Sequence, residues 1–304
     1  MSKTNKTGRK IQITSIGFNA RPVDKFIDIV DDEAQKDCDL ILLPEMCTGD
    51  VIEPLDGESV KRMSAVAAEH GVYIVFPIYR KSEINKTEER INSAILIGRK
   101  GEICGVYDKI YPFWSEFDLN PPVAIGREAP VFETDFGRIG LAICFDANFP
   151  EVFRSLSLGG AEIVLWSSAY SGGMSLQAHA INYNYTIITS TLNADCLVYD
   201  ITGREIYYQH KPNSVNISRI TTDLDRCIFH QDYNMEKRHK IMKEYDGKIE
   251  SELFEREGWF TLKSTSPDIS ARTVAVEYSM EELPAYKRRS LVEIDEMRGF
   301  KFIN

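Results

Sequence analysis

The sequence predicts an α/β chain in which two mixed sheets pack face to face with helices outside, built from two similar halves and followed by a C-terminal extension. Three observations predict this. Strand-like apolar runs alternate with amphipathic helical segments. Several runs, such as Asp39-Leu-Ile-Leu-Leu-Pro-Glu45 and Ala161-Glu-Ile-Val-Leu-Trp166, are apolar nearly throughout, as strands covered on both faces are. The order strand, helix, strand, helix, strand, hairpin also occurs twice. Its hairpins match: Ile95-Leu-Ile-Gly-Arg-Lys-Gly-Glu-Ile103 in one half, Leu197-Val-Tyr-Asp-Ile-Thr-Gly-Arg-Glu-Ile206 in the other.

In the first half, Ile11 to Phe18 alternates as a strand. Pro22 to Lys36 sets Val23, Phe26, Ile27 and Val30 on one helical face. The strand Asp39 to Glu45 stops at a carboxylate. Val60 to His70 is a second helix, with Met63, Val66 and Ala67 inward and Gly71 ending it. Val72 to Tyr79 and Ser93 to Ile97 are strands. Lys100-Gly101 turns the chain into Glu102 to Asp108, and Lys109 follows.

In the second half, Arg138 to Cys144 is a strand. A helix spans Pro150 to Leu158, with Pro150 suited to its first turn and Gly159-Gly160 ending it. Ala161 to Trp166 is a strand and Leu176 to Asn184 a helix. Tyr185 to Thr189, Cys196 to Tyr199 and Glu205 to His210 are strands. From Asp223 onward the pattern changes. Met235 to Glu257 is charged, with Met242, Tyr245, Ile249, Leu253 and Phe254 near helical spacing. It predicts one or two exposed helices broken at Asp246-Gly247. Ser264 to Ser270 reads as a polar linker, and residues 272–294 carry short apolar runs amid charge. The division expected is a disordered leader over 1–9, a domain over 10–225 and an extension over 226–304. The extension is expected to form no core by itself and to pack on the domain or across a subunit interface.

The totals narrow the function. The chain has 304 residues, 43% hydrophobic, enough for a large core. A net charge of −10 argues against nucleic acid or anionic membrane as partners. No apolar run is long enough to span a bilayer, and no signal-peptide core follows the polar N-terminus, so a cytoplasmic setting is expected. The six cysteines are scattered without a C-x-x-C pair, and the five histidines show no ligand spacing. Neither a disulfide framework nor a metal site is expected.

The chemistry centres on Phe136 to Glu151. An apolar strand ends at Cys144, a turn follows, and a helix starts at Pro150. A thiol there sits beside backbone N–H groups that can face a developing negative charge. Taken alone, Cys144 reads first as a small buried residue, as most free cysteines are. Glu45 closes an apolar run, where burial makes a carboxylate a better base near neutrality. Lys109 precedes the aromatic segment Ile-Tyr-Pro-Phe-Trp114 and is placed to stabilise a thiolate or an oxyanion, or to form an ordinary ion pair.

Together, Leu42-Leu-Pro-Glu45, Tyr107-Asp-Lys109-Ile-Tyr-Pro112 and Gly137-Arg-Ile-Gly-Leu-Ala-Ile-Cys144-Phe-Asp-Ala-Asn-Phe-Pro-Glu151 resemble the carbon–nitrogen hydrolase (nitrilase) superfamily, over residues 10–225. The resemblance implies an αββα sandwich pairing into an αββααββα homodimer or larger assembly. It implies Cys144 as nucleophile, Glu45 as general base and Lys109 as the oxyanion-stabilising lysine. Glu116 stands where a second glutamate is expected, with Asp118 as the other candidate. The N–H of Phe145 would share the oxyanion, and neither metal nor organic cofactor is implied. Phe145, Trp114 and Tyr170 are expected to line the substrate pocket, while Trp166 reads as core.

The chain also departs from the family pattern. Phe145-Asp146 replaces the Trp-Glu usual in nitrilases proper, which favours a small amide or N-carbamoyl substrate over a nitrile. His179-Ala-Ile-Asn182-Tyr183 stands where the family often has Arg-Ala-x-Glu-Asn, and the stretch after Asn193 is short. Two other readings stay open: a non-catalytic scaffold of the same fold, and acyl transfer to an amine in place of water. A Cys–His enzyme is disfavoured, because no histidine has a motif context beside Cys144.

Overall fold

The structure is a computed structural model that describes residues 9–84 and 87–300, so nearly all of the expected leader lies outside the described residues. The chain divides into two compact units. One is Ile11–Thr222; the other joins the segment up to Lys10 with the chain from Asp223 onward.

The first sheet contains β1 (Lys10–Gly17), β2 (Leu40–Leu42), β3 (Ile52–Glu53), β4 (Tyr73–Ile84), β5 (Thr87–Ile97) and β6 (Ile103–Asp108). The second contains β7 (Val131–Glu133), β8 (Arg138–Ile143), β9 (Ile163–Ser168), β10 (Thr186–Thr191), β11 (Asp195–Tyr199) and β12 (Glu205–His210). A further strand, β13 (Asn216–Asp223), completes the first sheet beside β1. The sheet orders are β13-β1-β2-β4-β5-β6, with β3 beside β4, and β12-β11-β10-β9-β8-β7.

The duplication is real at the level of strand direction. β1, β2 and β4 run parallel and continue into the antiparallel β5 and β6. β8, β9 and β10 do the same before the antiparallel β11 and β12. Helices α1 (Ile27–Ala34) and α2 (Glu58–His70) serve the first half, and α3 (Pro150–Leu158) and α4 (Met174–Tyr183) the second. α2 ends on Gly71 in the left-handed region (φ 65°), where a glycine carries no Cβ penalty. β5 starts earlier than its apolar stretch, because Glu88-Glu89-Arg90 hides a strand fixed by pairing with β4.

The layering follows from strand alternation. Ile16, Ile41, Leu43, Ile74, Phe76, Ile95 and Ile97 point one way and pack with Phe26, Val30, Val60, Met63 and Ala67 of the helical layer. Each such buried side chain contributes roughly 1.5–3 kcal/mol. The opposite face meets the other sheet. There small hydroxyls cross between sheets: Ser15 Oγ donates to the Thr189 carbonyl (2.7 Å), Ser190 Oγ to Ile16 (3.0 Å) and Ser167 Oγ to Leu43 (2.7 Å). A Cβ on Gly17 would lie 2.9 Å from the Thr191 carbonyl oxygen, so only glycine permits the sheets this approach. The unit Ile11–Thr222 is thus an αββα sandwich of two mixed sheets.

The C-terminal region corrects two expectations. Of the one or two helices expected over Met235 to Glu257, broken at Asp246-Gly247, only the part before the break is helical: α5 covers Met235–Glu244, and β15 (Ile249–Phe254) and β16 (Trp259–Ser264) follow. They form a three-stranded antiparallel sheet with β14 (Cys227–His230), in the order β14-β16-β15. Ile249, Leu253 and Phe254 satisfied helical spacing by coincidence; pairing across the Glu255–Gly258 turn decides the strand. The region also has a core of its own. Phe229, Ile241, Ile249, Phe260 and Leu262 pack with Val274 and Ala275 of α6 (Ala271–Glu277), and α7 (Leu283–Arg298) follows. Its core residues lie in short apolar runs such as Cys227-Ile-Phe229 and Val274-Ala-Val276, separated by charged stretches. Among the described residues, no helix is long and apolar enough to cross a membrane.

Phe260 is fully buried at the centre of that core. Phe260→Ala is expected to cost about 3–5 kcal/mol of stability, read as a lower midpoint in urea; a change under 1 kcal/mol would contradict an independent core here.

Candidate active site

The site lies where several strands end. Glu45 follows β2 through Leu43-Pro44, Lys109 follows β6 directly, and Cys144 follows β8 directly. Glu45 and Lys109 are each 1% exposed and Cys144 is 7% exposed, so the three groups leave water together.

Lys109 is the hub. Its Nζ donates to Glu45 Oε1 (2.8 Å) and to Glu116 Oε2 (2.5 Å). Burial works against the ammonium charge, but the Glu45, Cys144 and Glu116 charges outweigh it and hold Lys109 protonated. Glu116 stands on a single-turn 3₁₀ segment, Trp114–Asp118, and also accepts the N–H of Phe113 (2.8 Å) and the hydroxyl of Tyr79 (3.2 Å). Asp118 is exposed, so of the two candidates Glu116 is the one brought to Lys109. Asn92 on β5 ties the carboxylates a second time: its Nδ2 donates to Glu45 Oε1 (2.8 Å) and Glu116 Oε1 (3.1 Å). Glu45 Oε2 is buried and accepts no hydrogen bond among the described residues.

Cys144 occupies the left-handed region (φ 46°), a conformation costing an ordinary residue about 1–2 kcal/mol. The turn Cys144–Asn148 that follows is 3₁₀, and α3 begins at Pro150. Asp146 holds it. Its Oδ2 accepts the N–H of Ile143 (2.8 Å) and the hydroxyl of Tyr107 (2.7 Å), and its Oδ1 the N–H of Tyr111 (3.0 Å). Tyr107 and Tyr111 flank Lys109, so one carboxylate locks the lysine segment to the cysteine turn. Burial pushes Asp146 up to about 6, against the pull of these three donors and of Lys109. Burial likewise pushes the Cys144 thiol up to about 12, and the Glu45 charge adds to this. Lys109, a backbone hydrogen bond from Ala169 and the Ser168 hydroxyl pull the other way. The resting cysteine is therefore a thiol at neutral pH, beside a base and a cation.

The outer residues are placed as follows. Phe145 is half-buried, edge-on to Phe113 (5.4 Å) and Phe149 (5.4 Å). Trp114 is 68% exposed, against Phe113 (5.6 Å). Tyr170 is half-buried; its hydroxyl accepts Asn148 Nδ2 (3.4 Å), and burial, then the Cys144 charge, raises its pKa. Trp166 is fully buried and belongs to the core. His179 is buried, stacks on Phe153 (3.9 Å) and faces the Ala147 carbonyl at 2.9 Å. Burial lowers its pKa, so the neutral ring donates from Nε2 to that carbonyl. The departure from the family pattern at this position thus bears on the cysteine turn. Asn92, Tyr79 and Ser168 escaped the sequence reading. For Asn92 a signal existed: an amide inside Ile91-Asn-Ser-Ala-Ile95, where strand composition disfavours it.

The chain is similar to known proteins in sequence and in fold. A family model described as carbon–nitrogen hydrolase matches residues 19–195. A probable nitrilase of Schizosaccharomyces pombe is 33% identical over 162 residues, covering 49% of this chain and 58% of that protein. A beta-ureidopropionase of Arabidopsis thaliana is 37% identical over 125 residues, covering 40% of this chain and 30% of that protein. The chain therefore spans less than two thirds of these relatives' lengths. Among solved structures, a mutant amidase from Nesterenkonia sp. AN1 superposes with a TM-score of 0.60 at 19% identity, covering 80% of this chain and all of that one. It shows covalent addition of the acetamide moiety of fluoroacetamide at the active-site cysteine.

Because the folded Asp146 binds its proton more tightly than an ordinary aspartate near 3.8, its contribution to stability is fully present below about pH 4. It is lost as pH rises through about 6, by on the order of 3 kcal/mol. Urea midpoints measured from pH 4 to 7 are expected to show this slope in the native chain and a flatter profile in Asp146→Asn.

Proposed function

This chain belongs to the carbon–nitrogen hydrolase family of the nitrilase superfamily, and from that premise we propose that it hydrolyses a small amide or N-carbamoyl compound through a thioester on Cys144. The observation that carries the reading is Glu45: one carboxylate oxygen is held by Lys109 and Asn92, the other is buried and accepts no hydrogen bond among the described residues, and the charge of the group acts on the Cys144 thiol.

In this reading Glu45 Oε2 takes the proton of the Cys144 thiol as sulfur attacks the substrate carbonyl carbon. A thiol pushed up to about 12 is not ionised beforehand, so proton removal accompanies attack. Proton transfer from Cys144 to Glu45 leaves the net charge of the cluster unchanged, which suits a buried site. Lys109 and the N–H of Phe145 face the oxyanion that develops. Collapse expels ammonia or an amine, which takes the proton from Glu45. Water then enters, oriented by Glu116 and deprotonated by Glu45, and cleaves the thioester to release the acid. Phe145, Trp114 and Tyr170 bound the substrate side. Amide or carbamoyl chemistry is favoured over nitrile chemistry by Phe145-Asp146; the relatives include both a beta-ureidopropionase and a probable nitrilase. A homodimer and a cytoplasmic setting belong to the same proposal; a monomer by light scattering at micromolar concentration would remove the first.

Ammonia release from a panel of small amides, N-carbamoyl compounds and nitriles tests the reading. Release by the native chain that disappears in Cys144→Ala is expected, with amides or carbamoyl compounds ahead of nitriles. Equal release by both proteins would exclude Cys144 as the nucleophile.

A further inference from the structure

Asn92 lies between the two carboxylates and is 1% exposed. Its amide orientation is fixed by its neighbours: with two carboxylate oxygens facing it, only the NH₂ end can turn toward them, and both N–H bonds are used. Its own Oδ1 is buried without a hydrogen-bond partner. A buried amide with an unsatisfied oxygen is costly for stability alone, which marks the position as serving the site.

Resting on the hydrolase reading above, we propose that Asn92 is the positioning residue that selects Glu45 Oε2 as the base and fixes Glu45 and Glu116 relative to each other. Two features carry this. First, Lys109 and Asn92 converge on the same oxygen, Glu45 Oε1. That oxygen is saturated, so the carboxylate cannot rotate to present it, and the unpartnered Oε2 is the one left for the thiol proton. Second, Lys109 alone is one cation for two carboxylates. Asn92 supplies two further N–H dipoles at Glu45 Oε1 and Glu116 Oε1 without adding charge. A second cation there would satisfy both oxygens too, but it would lower the basicity that Glu45 needs. When Glu45 takes the proton on Oε2, Oε1 becomes a carbonyl-type acceptor and keeps both of its donors, so the proton moves without rearranging the cluster.

The arrangement also dictates how replacements behave. Asn92→Ala removes both donors and frees Glu45 to rotate. Asn92→Asp is nearly isosteric but faces two carboxylates with a third. It donates only while protonated, and then to one partner alone. Its activity is expected to be confined to more acid pH than that of the native chain, whereas Asn92→Ala loses activity at every pH.

The experiment follows Cys144 alkylation by iodoacetamide, mapped to that cysteine by mass spectrometry, and ammonia release on the best substrate, both across pH 5 to 9. Folding is checked by circular dichroism. The expected result is a loss of about 10- to 100-fold in both rates for Asn92→Ala, with a shift to acid optimum for Asn92→Asp. Native rates in Asn92→Ala would overturn the proposal, as would identical pH profiles for the two variants. If Asn92→Ala fails to fold, the pH profile of Asn92→Asp decides alone; loss of fold in both would make Asn92 structural and overturn the positioning role. The alkylation arm separates this inference from the hydrolase reading. Alkylation slowed in Asn92→Ala, with no turnover of any substrate by the native chain, would retain the positioning role and remove the reading. Full turnover in Asn92→Ala would do the reverse.

Discussion

A buried ammonium group sets the terms for the rest of this molecule. Lys109 is 1% exposed, and an ion removed from water costs several kcal/mol unless its partners are fixed beside it. Two carboxylates meet that demand, and they in turn need more donors than one lysine has. Tyr79, Asn92 and the N–H of Phe113 supply them. The network spans β4, β5, β6, the end of β2 and the 3₁₀ turn at Glu116. Each member has its position because another would otherwise be left charged or unpaired in a dry interior. Within this network two atoms have no partner among the described residues, Asn92 Oδ1 and Glu45 Oε2, and the second is the one that the proposed chemistry uses.

The first half of the sandwich thus carries the proposed base and the cation, and the second half carries the thiol. Asp146 joins them. It receives one donor from the turn it sits on and two from the segment around Lys109. Serine hydroxyls spanning the sheets and the bare backbone at Gly17 hold the two layers at the separation this carboxylate requires. Packing far from the thiol is therefore part of what aligns it.

Much of this was legible in the sequence, for reasons that can be named. Fully apolar runs such as Leu40 to Leu43 and Ile163 to Trp166 have few alternatives to a doubly covered strand, and the repeated hairpins give the two-fold plan. Glu45, Lys109 and Cys144 were visible because each stands at a strand end, and together with the motifs around them they resemble a family. Asn92 and Tyr79 were not, because their significance lies in what stands across the sheet, and pairing partners are not local information. Asp146 looked like a marker of substrate preference; its three donors give it a structural task as well. The C-terminal sheet was misread because Ile249, Leu253 and Phe254 fit two periodicities, and only the register with Trp259 to Ser264 chooses between them. His179 shows the opposite case: an unexpected residue in a familiar position, whose ring faces the carbonyl of Ala147 beside the nucleophile.

The division of the site between the two halves has a consequence for biosynthesis. Glu45, Lys109 and Glu116 leave the ribosome first, with nothing to attack and no thiol to activate. Cys144 emerges later, and the left-handed backbone that presents it is held by Asp146, whose partners Tyr107 and Tyr111 belong to the earlier half. A nascent or half-denatured chain therefore has a cysteine without its base and a base without its cysteine. The proposed grouping of thiol, carboxylates and ammonium therefore exists only once the two sheets have closed on each other, and a chain that has formed either half alone lacks it.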